Sequence, residues 1–468
     1  MLLNAVCLLA AGVAVVRGQA VGPAVFAHFM VGNTAGYDVA QWQKEMSTAQ
    51  EASIDGFALN VGTPLSDFAT QIQNAFDAAA AQPGDFKLFF SFDYQGGADG
   101  PWPIGDVETV LRQYAPKDQH YKVNGAALVS TFAGEGNASD WTTIPNDIKA
   151  DVPGGIYFVP DWVNFGPVGI MDHADVIQGA FSWDMWPDGP KNITDDHDLA
   201  WKGALTGKSF MMGVSPWFYT NLPGYHKAFV WRGDDMWHTR WMQVMDVKPQ
   251  FVEIVTWNDY GESHYINDIW EQGIAVDSQG NSAAKYVDGF PHAGWRSLLP
   301  YYISMYKNNA APPVTEEIIQ YWYRLAPAAQ GNNQGVTGNN CQSPINIYGY
   351  QQCYNVPDIL EDGVFLTALV ESLPATITLK IGDDLAGSWE ASQVGLNHYS
   401  APFAGKTGNV TVAIERDSNA AVTGTGPAIM ADWSSNGGNA IYNAWVGTAS
   451  SGASPSKKRD VKNRHKRT

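Results

Sequence analysis

Eight apolar runs with β-strand composition recur between residues 25 and 260, and amphipathic stretches separate most of them. Near-continuous apolar strands that alternate with helices are typical of a parallel sheet covered by helices. Eight such units over roughly 290 residues predict an α/β fold, and they favour a (β/α)8 TIM-like barrel over an open doubly wound sheet. The predicted strands are 25–31, 56–62, 87–94, 126–134, 156–164, 175–186, 209–219 and 251–260.

The stretches between and after these strands supply the helices of the same fold. Their helical periodicity predicts helices at 37–53, 65–81, 104–115, 235–246 and 294–309. No Gly-x-Gly-x-x-Gly motif follows the first strand, which argues against dinucleotide binding. We expect no cofactor.

The composition of the chain changes after the predicted barrel. The segment 326–340 is rich in Gly and Asn, and the segments 363–382, 408–417 and 426–435 have the pattern of short strands separated by turns. That pattern predicts a smaller C-terminal β-sandwich domain. The expected division is a signal peptide at 1–20, a barrel at 21–325, a linker with a disulfide loop at 326–356, a β-sandwich accessory domain at 357–450 and a basic disordered tail at 451–468.

The N-terminal region indicates export. Residues 1–20 are apolar up to Val16 and end in small residues, a pattern that favours a secretory signal peptide over a buried strand. We therefore expect a secreted protein of the extracellular space or the cell wall. Cys341 and Cys353 form an even pair that an oxidising compartment would join in a short loop. Possible glycosylation sites are Asn137, Asn192 and Asn409.

Charge and aromatic content narrow the possible partners. The formal net charge of −19 disfavours binding to nucleic acid and to anionic membranes. The chain also has 18 Trp, 20 Tyr and 20 Phe, and flat aromatic side chains can stack on the apolar faces of sugar rings. We therefore expect a carbohydrate partner, and a monomer as the default state of the exported protein.

Polar side chains occupy the carboxyl ends of the predicted strands. In barrel enzymes the chemistry lies at those ends. A polar side chain buried there without a hydrogen bond costs about 1–3 kcal/mol, so each must be bonded or functional. Together they predict a site on one rim of the barrel, formed by His28, Asn33, Asn60, Asp93, Glu135, Asp161, Asp184, Asp259 and Glu262.

Asp259 and Glu262 follow the eighth predicted strand, in the segment TWNDYGESHYI, with His264 beside them. Glycoside cleavage needs two carboxyl groups, of which one is held protonated as the acid and the other is ionised. Mutual repulsion and partial burial would raise one of the two pKa values, as such an acid requires. A metal site built from Asp, Glu and His is the competing interpretation. Since the chain has no H-E-x-x-H or H-x-H motif, we expect no metal.

Several motifs in the same order resemble those of the fungal α-1,3-glucanases (mutanases) of glycoside hydrolase family 71. The resemblance covers about residues 24–310 and includes AHFMVGN, DGFALNVG, FFSFDY, STFAGE, FVPDW, SWDMWP, GVSPWFYTN and TWNDYGESHYI. It implies a glucan endo-1,3-alpha-glucosidase that hydrolyses α-1,3-glucan with inversion at the anomeric carbon. Inversion requires the two carboxyl groups to lie roughly 6.5–9.5 Å apart.

The resemblance also implies roles for individual residues. Asp259 and Glu262 would be the catalytic pair, and we assign Glu262 as the general acid and Asp259 as the base, although the sequence permits the reverse. Substrate binding would fall to polar residues and to aromatic stacking platforms. The polar residues are His28, Asn60, Asp93, Glu135, Asp161, Asp184 and His264, and the platforms are Trp183, Trp217, Tyr219 and Trp257.

Two alternatives remain open at this point. A hydrolase of a different glucan linkage would keep the carboxylate pair, because specificity depends on the shape of the subsites. A non-catalytic protein that binds cell-wall polysaccharide would keep the aromatic residues without needing Asp259 and Glu262.

Overall fold

The computed structural model of the chain describes residues 22–97, 99–341, 352–417 and 419–452. The predicted signal peptide and almost all of the predicted basic tail lie outside the described residues. In the described ranges, none of the helices combines the length and the hydropathy needed to span a bilayer.

In the described residues the first part of the chain has eleven strands, and eight of them, those of the parallel arrangement, coincide with the eight predicted runs. The eleven strands are β1 (Ala24–Met30), β2 (Gly56–Thr63), β3 (Lys87–Gly97), β4 (Lys122–Val123), β5 (Ala126–Phe132), β6 (Ile156–Phe158), β7 (Gly179–Ser182), β8 (Ser209–Val214), β9 (Tyr219–Leu222), β10 (Lys227–Val230) and β11 (Phe251–Ile254). Several of the predicted runs are longer than the strands that form. The run 251–260, for example, ends as a strand at Ile254, and its remaining residues form a loop.

Nine of these strands form one curled sheet. Its hydrogen-bonded order is β4-β5-β3-β2-β1-β11-β8-β7, and β6 pairs with β5. All neighbours are parallel except β4 and β5. The free edges of β6 and β7 approach each other, because the backbone N–H of Gln178 donates to the Phe158 carbonyl (2.8 Å) and that of Phe181 donates to the Pro160 carbonyl (2.9 Å). The predicted mixed α/β class is confirmed.

Helices cover the outer face of this sheet. The second helix begins and ends where its periodicity predicts, at 65–81. In the first helix the Asp38 side chain accepts a hydrogen bond from the Gln41 backbone N–H and so caps the N-terminus. The helices are α1 (Val39–Glu51), α2 (Leu65–Ala81), α3 (Ile104–Tyr114), α4 (Ile144–Asp147), α5 (Gly166–Gly169), α6 (Asp196–Ala204), α7 (Met236–Val247), α8 (Ala284–Val287), α9 (Leu299–Asn308) and α10 (Val356–Ile359).

The C-terminal part of the chain forms two four-stranded antiparallel sheets. Their orders are β17-β14-β12-β20 and β16-β15-β18-β19, and the apolar residues facing inward from both sheets form one buried cluster. The strands of this part, of which β13 alone lies outside both sheets, are β12 (Ile318–Tyr323), β13 (Thr337–Gly338), β14 (Gly363–Val370), β15 (Thr376–Ile381), β16 (Asp384–Glu390), β17 (Gly395–Pro402), β18 (Gly408–Arg416), β19 (Asn419–Ile429) and β20 (Trp445–Ser450).

Two features of this part differ from the sequence prediction. Strand β12 precedes the expected domain boundary at residue 325, yet it pairs with both β14 and β20. The predicted strand 426–435 ends at Ile429, and Ser434–Asn436 forms a 3-10 turn. The disulfide between Cys341 and Cys353 is present, and it lies next to β13, which pairs with β10 of the first part.

Candidate active site

A cavity of about 620 Å³ opens at the carboxyl ends of the parallel strands. Parallel strands that all end on one side bring the side chains following them to one rim, as the sequence predicts. Aromatic residues form much of the wall. The predicted site residues that line the cavity are His28, Asn60, Asp93, Glu135, Trp183, Asp184, Asp259 and Glu262.

Five other predicted site residues lie behind that wall, and a sixth, Asn33, donates its side-chain amide to the Asn258 carbonyl (3.0 Å). Trp217, Tyr219 and Trp257 are at most 1% exposed. The Trp217 indole N–H donates to the Tyr442 carbonyl (2.9 Å), and the Tyr219 ring packs against the Tyr442 ring. These rings therefore belong to the hydrophobic core, where a sugar does not reach them. The side chain of a residue that follows a strand can point toward the cavity or toward the core, and the sequence pattern does not distinguish these two directions.

Asp161 and His264 are also buried, but they lie next to the cavity residues. Burial, reinforced by Glu135 and Glu253, raises the pKa of Asp161 well above its usual range. Its surroundings therefore favour the neutral form of this carboxyl. Glu253 also contacts the Nδ1 atom of His28 (2.6 Å), and this contact fixes the imidazole that faces the cavity.

The loop after β11 carries the candidate catalytic pair, and it is attached firmly to β1. The Asn258 side chain accepts from the Met30 N–H (2.8 Å) and donates to the Met30 carbonyl (3.0 Å). Within the loop, the Asp259 N–H donates to Oγ1 of Thr256 (2.8 Å), and Oδ1 of Asp259 accepts from the Glu262 N–H (3.2 Å). The backbone thus places both carboxylates on the same side of the cavity.

Both oxygens of Glu262 are held by nitrogen donors. Nζ of Lys227 lies 2.6 Å from Oε1, and Nε2 of His264 lies 2.9 Å from Oε2. Burial opposes the charge of Glu262, but the Lys227 ammonium and His264 outweigh it and lower the pKa of this carboxyl below its usual range. Glu262 is therefore ionised in the unliganded site.

Asp259 has the opposite electrostatic environment. Burial and then the charge of Glu262 raise its pKa, and His264 and Lys227 only partly offset this rise. Two carboxyl groups with divergent pKa values supply the proton donor and the proton acceptor that acid–base catalysis needs. The proton resides more readily on Asp259 than on Glu262.

Other cavity carboxylates are positioned by local hydrogen bonds. Asp93 accepts from the backbone N–H groups of Gln95 (2.9 Å) and Gly96 (2.6 Å), and burial raises its pKa. A Cβ atom at residue 96 would lie 2.4 Å from Oδ2 of Asp93, so this turn requires glycine. Across the cavity, Asp184 is in contact with Nδ1 of His197.

Lys227 is the functional residue that the sequence analysis missed. It lies six positions beyond the GVSPWFYTN motif, on a hairpin inserted after β8. A lone lysine in a polar segment carries no periodic signal. The aromatic wall residues Trp186, Phe218, Phe229 and Trp231 were missed as well, because they lie in runs that also supply core residues.

Asp259, Glu262 and His264 also satisfy the geometry of a metal site. One ligand atom from each lies within 4.8 Å of the others. However, the Lys227 ammonium already contacts Glu262 at 2.6 Å, and its positive charge opposes a divalent cation there. The donor set therefore fits a proton-transfer site better than a metal centre.

A cavity with an aromatic wall and two carboxyl groups of divergent pKa defines the site of a glycoside hydrolase. Residues 22–459 match the model of Glycosyl hydrolase family 71. The chain belongs to this family, as the sequence motifs predicted.

The chain is also similar in sequence to individual proteins, and in structure to a bacterial enzyme. The chain is 34% identical to a glucan endo-1,3-alpha-glucosidase of Schizosaccharomyces pombe, over 87% of this chain and 91% of the relative. It is also 34% identical to a mutanase of Penicillium rubens, over 77% of this chain and 75% of the relative. A bacterial GH99 endo-alpha-mannosidase structure aligns with 61% of this chain and 97% of its own, at 10% identity and a TM-score of 0.43.

Removal of divalent cations is expected to leave hydrolysis unchanged. Dialysis against EDTA should keep the initial rate of reducing-sugar release within about twofold of the untreated enzyme, because Lys227 supplies the positive charge beside Glu262. A loss of activity that added Ca²⁺, Mg²⁺ or Mn²⁺ restores would show that the three-residue cluster is a metal site.

Proposed function

We propose that this protein is an endo-acting hydrolase of α-1,3-glucan, the polymer named by its curated relatives. The observation that carries this proposal is the pair Asp259 and Glu262, which share one cavity and whose surroundings shift their pKa values in opposite directions. Membership of the family supplies the reaction type. The linkage is supported by the name of the Schizosaccharomyces pombe relative, a glucan endo-1,3-alpha-glucosidase that is 34% identical to this chain.

The electrostatics of the site favour the reverse of the role assignment made from the sequence. We propose Asp259 as the general acid, since burial and Glu262 raise its pKa and keep a proton available for the leaving oxygen. Glu262, held ionised by Lys227 and His264, then serves as the base that activates water. The reaction consumes one water: Asp259 gives its proton to the leaving oxygen, Glu262 takes a proton from the attacking water, and proton exchange with solvent then restores both carboxyl groups.

Inversion at the anomeric carbon is the stereochemical part of the proposal. Inverting pairs usually lie about 6.5–9.5 Å apart, so that water fits between base and sugar. In the unliganded cavity, one oxygen of each carboxylate lies within 4.8 Å of the other, which is shorter than expected from the sequence. Inversion requires room for a water between the Glu262 carboxylate and the anomeric carbon.

Substrate binding is assigned to the polar and aromatic residues that face the cavity. The Trp183 ring meets the His28 imidazole edge to face at 5.0 Å, which fixes a platform beside a hydrogen-bonding group. We propose that His28, Asn60, Asp93, Glu135 and Asp184 bind glucosyl hydroxyls. The aromatic platforms are Trp183, Trp186, Phe218, Phe229 and Trp231.

We further propose that the curled sheet is a closed (β/α)8 barrel. The two backbone hydrogen bonds that link β6 and β7 support closure. We place β12 in the C-terminal β-sandwich with residues 357–450, because it is hydrogen-bonded to two strands of that domain. Export to the extracellular space is supported by the predicted signal peptide at 1–20 and by the disulfide Cys341–Cys353.

The substrate proposal predicts release of reducing sugar from one polymer only. Purified enzyme should hydrolyse alkali-extracted α-1,3-glucan, and its rates on β-1,3-glucan, starch and dextran should be lower by at least about 100-fold, because subsites built for one linkage misplace the others. Comparable activity on another polymer would retain the mechanism and reject the linkage. Binding without hydrolysis of any polymer would favour a wall-binding protein.

Proton NMR of the first products tests the stereochemistry in the same reaction. A β-anomer that appears first and then mutarotates is expected for inversion of an α-linkage. If the α-anomer appears first, the short spacing of the unliganded pair is the working geometry and inversion is wrong.

A further inference from the structure

The most informative residue outside the predicted set is Lys227. It is the first residue of β10, opposite Leu222 of β9, next to the turn at the tip of a hairpin beside the cavity. Its side chain lines the cavity and is about half exposed (47%), so water and substrate both reach it. An exposed ion pair alone contributes little to stability. Its position against a candidate catalytic carboxylate that is only 15% exposed therefore points to a functional role.

The hairpin that carries Lys227 is held at both ends. At its tip, the Tyr225 hydroxyl donates to the Val276 carbonyl (2.7 Å), and the Gly224 N–H donates to Oδ2 of Asp277 (2.6 Å). At its far end, β10 pairs with β13 from the C-terminal part of the chain. The lysine backbone is thus fixed relative to the cavity by two separate segments.

Two groups contact the Glu262 carboxylate, one on each oxygen. Lys227 contacts Oε1 (2.6 Å), and His264 contacts Oε2 (2.9 Å). On its other ring nitrogen, His264 contacts Oγ1 of Thr256 (3.0 Å), and that same oxygen accepts from the Asp259 N–H. Lys227 is therefore one end of a continuous network that links both members of the catalytic pair.

We propose that Lys227 is a positioning residue, which holds Glu262 in its charged form and in the orientation of a base. This inference rests on the proposed function of the pair. The contact that Nζ of Lys227 makes is with Oε1 of Glu262. The lysine acts through Glu262, and His264 acts on the opposite oxygen in the same way.

The charged groups around Glu262 determine the sign of the expected effect. Lys227 and His264 favour its anionic form, whereas Asp259 opposes it when ionised. Glu262 and then Asp259 and Asp93 in turn raise the pKa of Lys227, so the lysine stays charged throughout the working range. Removal of Lys227 takes away one favourable charge, and Glu262 then binds a proton at higher pH. The acidic limb of the activity profile should move toward higher pH.

The experiment compares Lys227→Met with Lys227→Arg across the pH profile of kcat/KM. In the Met variant, kcat/KM on the acidic side should fall about tenfold or more relative to the wild type, because a cation within contact distance of a carboxylate shifts its protonation by that amount. Much of the loss should be recovered as the pH rises. The Arg variant should keep an acidic limb close to that of the wild type.

A matched control and a second measurement keep the proposal testable. Lys380→Met changes an exposed lysine of β15 in the C-terminal sheet and should leave the profile unchanged. If Lys227→Met raises KM without moving the acidic limb, the lysine binds glucan and the positioning role is wrong. The protonation of Glu262 can also be followed against pH by infrared spectroscopy, with its carboxyl band identified by subtracting the spectrum of Glu262→Gln. This titration reports the same shift without substrate turnover. This measurement separates the proposal from a failure of the assigned substrate.

Discussion

Glu262→Gln is expected to reduce kcat for α-1,3-glucan by about 10³-fold, and Asp259→Asn by a similar factor, because acid–base catalysis typically contributes 10²–10⁴. Both substitutions keep the size of the side chain and remove its ability to exchange a proton. The backbone bond from the Glu262 N–H to Oδ1 of Asp259 is available to an amide oxygen too, so the loop should keep its shape. Initial rates of reducing-sugar release measure the effect.

The same two variants distinguish the acid from the base. An aryl α-glycoside of an α-1,3-linked glucose oligosaccharide has a good leaving group, so its departing oxygen needs no protonation. This substrate should restore much of the activity of the variant that lacks the acid. We expect restoration for Asp259→Asn and none for Glu262→Gln. The reverse result would return the acid role to Glu262, as first assigned from the sequence. Asp383→Asn, in an exposed turn of the C-terminal domain, is the matched control.

The parts of the fold that repeat along the chain were predictable from the sequence. Strong apolar runs located all eight parallel strands, and the helix at 65–81 was placed without error. The rim residues followed from the same pattern, since parallel strands end together. The local sequence pattern was enough to predict Asp259 and Glu262 as a pair, because both follow one strand in a single segment.

The remaining features depend on contacts between distant parts of the chain. Trp257 was expected to face a sugar, but its indole N–H donates to a carboxylate of α1, 212 positions away in the sequence. Lys227 reaches Glu262 across 35 positions, from a hairpin that no periodicity distinguishes. Pairing of β12 with β20 joins segments more than 100 residues apart, and sequence pattern alone cannot choose that partner.

Glu45 connects the core to the catalytic loop, and its carboxylate accepts four hydrogen bonds. Oε1 accepts from the Gln41 side chain (2.6 Å) and from the Tyr37 hydroxyl (3.1 Å). Oε2 accepts from the Trp257 indole (2.8 Å) and from the Asn267 amide (2.9 Å). Trp257 and Asn267 flank the segment that carries the catalytic pair. Glu45, which lies in α1, therefore fixes both ends of that segment.

Glu45→Gln is therefore expected to lower both stability and kcat. The glutamine has nearly the same size, but its NH2 group replaces one of the two accepting oxygens and cannot accept a hydrogen bond. The donors on that side are left buried and unpaired, at a cost of about 1–3 kcal/mol in the free energy of unfolding. Loosening of the loop should reduce kcat by about tenfold or more while KM changes little, since misplacement of catalytic groups impairs the chemical step first. Denaturant unfolding and steady-state kinetics measure the two effects.

Glu51→Gln, in the exposed last turn of the same helix, is the matched control for Glu45 and should alter neither quantity. The comparison must be made well below the unfolding transition of the variant, so that the fraction folded does not contribute to the rate. A Glu45→Gln enzyme that is less stable but keeps its kcat within about twofold would show that this carboxylate serves the core alone. A parallel fall in kcat, with KM retained, would instead place the geometry of the catalytic loop under the control of a buried helix residue.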